Sequence, residues 1–325
     1  MTDRPLPRWR RWRRRGYHWL TVGLLAVASR LPLAAGRAMG RALGRLALAV
    51  RPREAAVARG NLQLAFPDWP RPRREELLRQ AASRLGENLH DTMVAPRLLR
   101  QPGLVVEEPC PATGGRPVGE VLAALAAEGR GALVLTGHLG CWELLGGWLG
   151  QELAGRGAGP LAVVTGTIHN PAVDRLVQDR RRDLGLLTLP RTAGAVPLLR
   201  HLEAGGVAAV LLDQTLAVPS LPVPFWGQAA PTVAGFGRLA LRRGIPVLPL
   251  AIARGGRGHV VRHLAPLRPP ADAAAARDDA RVTAFLARCN RALEELVRRN
   301  PAEWVWFHRR WPQAGVAART AEGAS

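Results

Sequence analysis

No lysine occurs in the 325 residues, so all 46 basic side chains are arginine, against only 25 acidic ones and a net charge of +21. A G+C-rich genome explains arginine in place of lysine but not the size of the excess. A surface of this kind suits phosphate-rich partners such as anionic lipid, nucleic acid or phosphorylated substrates. Cysteine is scarce too: Cys110, Cys141 and Cys289 are an odd count without metal-type pairing. That disfavours a disulfide scaffold and a zinc ribbon, leads us to expect no metal site, and fits a reducing cytosolic environment. Long apolar runs are also missing. The N-terminal run Trp19–Ser29 has 11 residues, where a bilayer span needs about 20. Disorder is excluded from the other side, because 47% hydrophobic and 22% charged residues are enough to bury a sizeable core.

What the chain does have begins at its first residues. MTDRPLPRWRRWRRR holds seven arginines, two tryptophans and one aspartate, and the apolar run that follows is stopped by Arg30 and Pro32. A signal peptide shares this outline, but no small-residue cleavage site stands out, and Arg37, Arg41 and Arg45 continue a helical spacing beyond Pro32. Tryptophan at headgroup depth and snorkelling arginine fit an interfacial anchor. Positive charge ahead of an apolar run keeps that end on the cytoplasmic side. The alternatives are a single span, if the helix extends past Arg30, and a soluble helix.

Residues 17–100 read as helical, since Ala, Leu and Arg dominate and β-branched residues are few. Asn61–Pro70 reads as a breaker-rich link. From Gly131 the pattern changes. Short apolar runs at Ala132–Thr136, Leu161–Thr165, Val207–Leu212 and Val247–Ala253 alternate with helical stretches near 142–153, 171–184, 193–204 and 232–243. A last helix near 272–299 leads to a Trp-rich tail. Apolar strands alternating with helices predict an α/β fold: a mostly parallel central sheet flanked by helices.

The chemistry concentrates at Thr136-Gly-His-Leu-Gly-Cys-Trp-Glu143, where a predicted strand ends and a helix begins. His138 and Glu143 are five residues apart. On one continuous helix they would sit about 140° apart around the axis, so they meet only if His138 lies on the turn before the helix. A carboxylate holding one ring nitrogen would leave the other free as a general base. From spacing alone, His138 is equally a capping or core residue. Cys141 reads as a packing residue.

His-x4-Glu after a strand resembles the signature of the glycerolipid and lipid A acyltransferases, and other blocks follow in order. Asn61–Pro67 (NLQLAFP) resembles that superfamily's "NLxxxFP". Asn170-Pro171-x-x-Asp174 followed by Arg181 resembles "NPxxD…R". Val210–Gln214 resembles the "DQ" strand end. Val223–Gly227, Thr232, Gly235 and Gly244–Pro249 resemble its "VPFFGxxAxTxxG…GxPVxP" segment, and Trp304–Trp311 its closing "WxWxHxRW". The resemblance spans about residues 20–312 and is nearest to the bacterial lipid A (lauroyl/myristoyl) type. The "EGTR" block of the glycerol-phosphate type is missing, and so is the second Asp of "DxD", since Asp213-Gln-Thr215 stands there.

The resemblance implies direct acyl transfer from acyl-ACP or acyl-CoA to a hydroxyl of a lipid A precursor or related glycolipid. His138 would be the base and Glu143 its orienting acid. Arg181 (or a neighbour, Arg180 or Arg182) would contact phosphate or oxyanion, and Asp213 and Asn170 would assist with substrate, though Asp213 also reads as a turn cap and Asn170 as a loop or helix cap. No cofactor is expected. Phosphatidylinositol mannoside or a lysophospholipid is the alternative acceptor. The expected organisation is a basic N-terminus and membrane-anchor helix at 1–50, then an acyltransferase domain at 51–325. Within that domain lie a helical lead-in (51–130), the catalytic core (131–312) and a disordered tail (313–325). The expected setting is the cytoplasmic face of the inner membrane, as a monomer, monotopic or with a single-pass anchor. Nucleic-acid binding is the reading from another class, and a non-catalytic membrane scaffold is a third. No recognition motif supports nucleic acid, so none is expected as a partner.

Overall fold

The computed structural model describes residues 23, 30–166, 171–256 and 258–312. The basic N-terminus, nearly all of the Trp19–Ser29 run, Asn170 and the tail 313–325 lie outside them. Three long helices open the described chain: α1 (Leu33–Val50), α2 (Pro52–Ala65) and α3 (Arg71–Met93), followed by one turn, α4 (Ala95–Leu98). Pro52 sits in the first turn of α2 and Pro72 in that of α3, where a missing N–H costs nothing. The link expected at Asn61–Pro70 is shorter than the composition implied. Asn61–Ala65 still belongs to α2, and only Phe66–Pro70 breaks the helix.

The core alternates strand and helix: β1 (Val105–Glu107), α5 (Val118–Ala126), β2 (Ala132–Thr136), α6 (Trp142–Ala154), β3 (Ala162–Thr165), α7 (Pro171–Asp183), β4 (Leu187–Pro190), α8 (Val196–Glu203) and β5 (Val207–Leu211). A hairpin, β6 (Ser220–Phe225) and β7 (Gln228–Val233), precedes α9 (Ala234–Arg243), β8 (Val247–Gly255), β9 (Gly258–His263) and α10 (Asp279–Arg299). Seven strands form one sheet in the order β1-β9-β8-β2-β5-β3-β4. Its pairs are parallel except β8–β9.

Alternation along each central strand sends side chains to opposite faces, and both faces are covered. Leu133, Leu135, Ala208, Val247 and Ala251 pack in one apolar cluster with Leu241 of α9 and Leu286 and Leu293 of α10. Ala132, Val134, Val207, Ala209, Leu248 and Leu250 pack in the other with Leu122 of α5 and Leu145 and Leu149 of α6. This is why these strands read as unbroken apolar runs.

α1 lies along α3 in the opposite direction. Arg37 reaches Asp91 (2.9 Å), Arg41 reaches Glu87 (2.7 Å) and Arg45 reaches Ser83 (3.0 Å), so each step of four along α1 is a step of four back along α3. Glycine permits the approach: a Cβ on Gly40 would stand 2.4 Å from the carbonyl oxygen of Gly86. The four-residue arginine spacing therefore faces protein, and Leu43, Leu46 and Val50 on α1 are more than half exposed. The helix is amphipathic with its polar stripe inward. Among the described residues, no helix is long and apolar enough to cross a membrane.

Candidate active site

The sheet itself brings the site together. β2 and β5 are adjacent and parallel, with Thr136 paired to Leu211. His138 and Asp213 each stand two residues beyond that pair, at the same sheet end. His138 lies on the turn before α6. Gly140 turns the chain there with φ +63°, and a Cβ on it would meet the carbonyl oxygen of Ile252 at 2.0 Å. Gly137 is needed for a different reason, because a Cβ there would stand 2.7 Å from Asp213 Oδ2.

Asp213, not Glu143, holds the imidazole. His138 Nδ1 lies 2.8 Å from Asp213 Oδ1, and the His138 backbone N–H donates to Oδ2 at 2.6 Å. A carboxylate only accepts, so Nδ1 carries the hydrogen, and Nε2 presents its lone pair whenever the ring is neutral. Burial alone would raise the Asp213 carboxyl. The charge of His138, its two hydrogen bonds and a third from the Trp304 indole outweigh burial and hold the carboxyl down at about 2. Asp213 is therefore an anion at any working pH. The His138 side chain is 22% exposed, and the Trp142 ring packs edge-on against it at 5.0 Å.

The expected contact between His138 and Glu143 is thus corrected: Glu143 faces Arg181. Arg181 Nε donates to Glu143 Oε2 at 3.0 Å and a terminal nitrogen to Oε1 at 2.5 Å, a two-pronged pair with both partners mostly buried. A five-residue separation carries Glu143 into the first turn of α6, while His138 stays outside it. The arginine register is also fixed by geometry. Arg180 pairs with Asp183 and Arg182 with Asp179, both at the surface, so Arg181 alone of the three turns to Glu143. The remaining expected site residue, Asn170, lies outside the described residues. Cys141 is fully buried, and burial pushes its thiol up to about 12, which makes it a packing residue.

Sequence reasoning missed the contribution of the C-terminal segment. The Trp304 indole donates to Asp213 Oδ2 at 2.7 Å. Val305 N–H donates to the His138 carbonyl at 3.1 Å and Gly140 N–H to the Glu303 carbonyl at 3.0 Å. Asn61 on α2 holds that segment by donating to the carbonyls of Trp306 and His308, both at 2.7 Å. Two blocks almost 250 residues apart thus meet at one place. The signal was present as order alone: an Asn early in the chain and a Trp/His-rich close, with no spacing to join them.

Comparison with known proteins identifies the family of the sequence. Residues 8–313 match the family described as bacterial lipid A biosynthesis acyltransferase. The chain is 26% identical over 303 residues to the lipid A biosynthesis lauroyltransferase of Escherichia coli (strain K12), covering 90% of each chain. It is 27% identical over 308 residues to the lipid A biosynthesis acyltransferase of Haemophilus influenzae, covering 90% of this chain and 89% of that one. Similarity to the phosphatidylinositol mannoside acyltransferase of Mycolicibacterium smegmatis is 26% over 187 residues, 56% of this chain and 57% of that one. With the match running through the α1–α3 helices, the whole sheet and the closing tryptophan segment, the chain belongs to the bacterial lipid A biosynthesis acyltransferase family.

Proposed function

We propose that the protein moves a fatty acyl chain from an acyl carrier protein or CoA thioester to a hydroxyl of a lipid A precursor or related glycolipid, with His138 as general base. The observation that carries this reading is an imidazole held at Nδ1 by a buried, ionised Asp213 while its side chain stays 22% exposed. His138 Nε2 takes the proton of the acceptor hydroxyl, and the oxygen attacks the thioester carbonyl carbon. The carbon–sulfur bond breaks, and the leaving sulfur takes the proton back from the imidazolium. No acyl-enzyme is needed, because holding both substrates in line replaces a bimolecular encounter. Arg181, braced by Glu143, offers positive charge beside the turn to a phosphate or to the oxyanion.

The acceptor is lipid-borne, and α1 supports a membrane-facing placement. Its charged stripe is used on α3 and its apolar stripe, Leu43, Leu46 and Val50, faces outward. That stripe, directly after the basic and Trp-rich N-terminus, suits the cytoplasmic face of the inner membrane with anionic lipid. The missing second acid after Asp213 and the similarity to the mycobacterial enzyme favour phosphatidylinositol mannoside as the alternative acceptor.

The test is transfer of a labelled lauroyl group from lauroyl-carrier protein and, separately, from lauroyl-CoA, to a lipid A precursor and to phosphatidylinositol mannoside. Transfer to the lipid A precursor that vanishes in His138→Ala supports the reading. Transfer to phosphatidylinositol mannoside alone moves the acceptor to the alternative. Undiminished transfer by His138→Ala overturns the base.

A further inference from the structure

We infer that Trp304 is a positioning residue for the catalytic pair, its indole N–H fixing the Asp213 carboxylate that in turn sets His138. This rests on the assignment of His138 as base.

Asp213 accepts three close hydrogen bonds. One is the Nδ1–H of His138, one is the His138 backbone N–H, and one comes from a side chain elsewhere in the chain, the Trp304 Nε1–H at 2.7 Å. An indole is a donor only and carries no charge. It therefore orients the carboxylate without neutralising it, whereas a guanidinium in the same place would compete with the imidazole for the negative charge. The indole cannot turn away. Trp304 is 3% exposed. It packs edge-on against Trp306 at 4.6 Å and Phe225 at 5.8 Å, with Trp311 at 6.5 Å.

The residues on either side of Trp304 hold the other half of the pair. The Glu303 carbonyl takes Gly140 N–H and Val305 N–H reaches the His138 carbonyl, so the turn bearing the base is clasped by the same short segment. One segment thus sets both the carboxylate and the imidazole turn. Without the indole donor, Oδ2 keeps only the backbone N–H. More of the negative charge is then directed at the imidazole, which favours its protonated form and frees the carboxylate to rotate.

The chain supplies its own control. Trp306 sits two residues on, in the same aromatic cluster, and donates its indole N–H to the Pro301 carbonyl at 2.7 Å rather than to Asp213. Trp304→Phe and Trp306→Phe each remove one indole donor from the same packing. We expect Trp304→Phe to lower kcat for lauroyl transfer about tenfold or more, with KM for the thioester unchanged. Its acid limb in the kcat/KM profile moves upward by about half a pH unit or more. Trp306→Phe keeps the wild-type limb. Where Trp304→Phe folds poorly, benzothienylalanine at position 304 keeps the ring shape and replaces only the N–H by sulfur, and the same upward shift is expected. Limbs that coincide in the two variants, whether moved or unmoved, overturn the inference. The two failures are separable. If His138→Ala remains active, the base assignment fails; if His138→Ala is inactive while position 304 behaves like position 306, only the role of Trp304 fails.

Discussion

Two buried aspartates in this molecule hold histidines, and they are put to opposite uses. Asp91 on α3 is fully buried and accepts from Arg37, from Arg254 at 3.0 Å, from His259 at 3.0 Å and from His90 at 3.2 Å. Burial would raise its carboxyl, but the hydrogen bonds from His259, His90 and Arg37 and the charge of Arg254 hold it far below the usual carboxylate range. Asp213 is buried just as deeply, yet its partners are one imidazole, one indole and one backbone N–H. The histidines differ in the same sense. His259 is 0% exposed and His138 is 22% exposed. A carboxylate–imidazole pair is therefore a lock when guanidiniums saturate the acid and the second ring nitrogen is sealed. It becomes a base when neutral donors fix the acid and the ring keeps part of its surface exposed.

Substitutions in the two pairs should separate activity from stability. The largest expected effect is on rate. His138→Ala loses roughly 10²–10⁴-fold in acyl transfer and keeps a wild-type unfolding midpoint, while His259→Ala lowers the midpoint first. If the two variants show the same pattern, the distinction collapses.

Asp91→Asn comes next. It leaves Arg37 and Arg254 buried beside a neutral amide, and breaking such a cluster costs roughly 3–5 kcal/mol, readable by urea unfolding. Asp213→Asn should invert the pattern, with transfer failing before stability does. Acid unfolding gives a second axis. Asp213 falls from an ordinary 3.8 to about 2 in the fold. A depressed carboxyl stabilises the fold fully above its unfolded value, and that contribution is lost as pH falls through its folded one. The wild type should therefore lose stability progressively from about pH 4 to pH 2, and Asp213→Asn should show a shallower fall over that window.

The sequence was most legible where local patterning decides the structure. The run Ala132–Thr136 became β2 residue for residue, because a central strand buried on both faces must be apolar throughout. Strands β1, β4 and β9 and the β6–β7 hairpin escaped. The first two are three and four residues long and lie at the sheet edges, and the hairpin carries Pro222, Pro224 and Pro231, which argue against strand on propensity. The imidazole's partner escaped because its signal is register rather than spacing. Nothing within five residues of His138 announces Asp213, 75 residues on. Only the adjacency of β2 and β5, and the equal distance of both residues from the Thr136–Leu211 pair, brings them together. The spacing of Arg37, Arg41 and Arg45 marks α1 as a helix but not what its arginines face. The acids that pull them inward, Glu87 and Asp91, are more than forty residues away.

The smallest effects should come from the arginine run on α7, where three adjacent guanidiniums differ only in the direction they face. Arg181 and Glu143 form a two-pronged pair with side chains 16% and 12% exposed, whereas Arg182 and Asp179 stand open to solvent. Exposed pairs within a helix contribute little, since water screens the charges and two long side chains must be ordered. Arg182→Ala should leave both the transfer rate and the unfolding midpoint at wild-type values. Arg181→Ala should cut the rate and make it depend more steeply on the concentration of the phosphate-bearing substrate, because Glu143 then stands uncompensated beside the turn that carries His138. Steady-state kinetics on the two variants decides it. A deficit shared equally by positions 181 and 182 would mean that overall positive charge on α7, rather than the one inward guanidinium, serves the site.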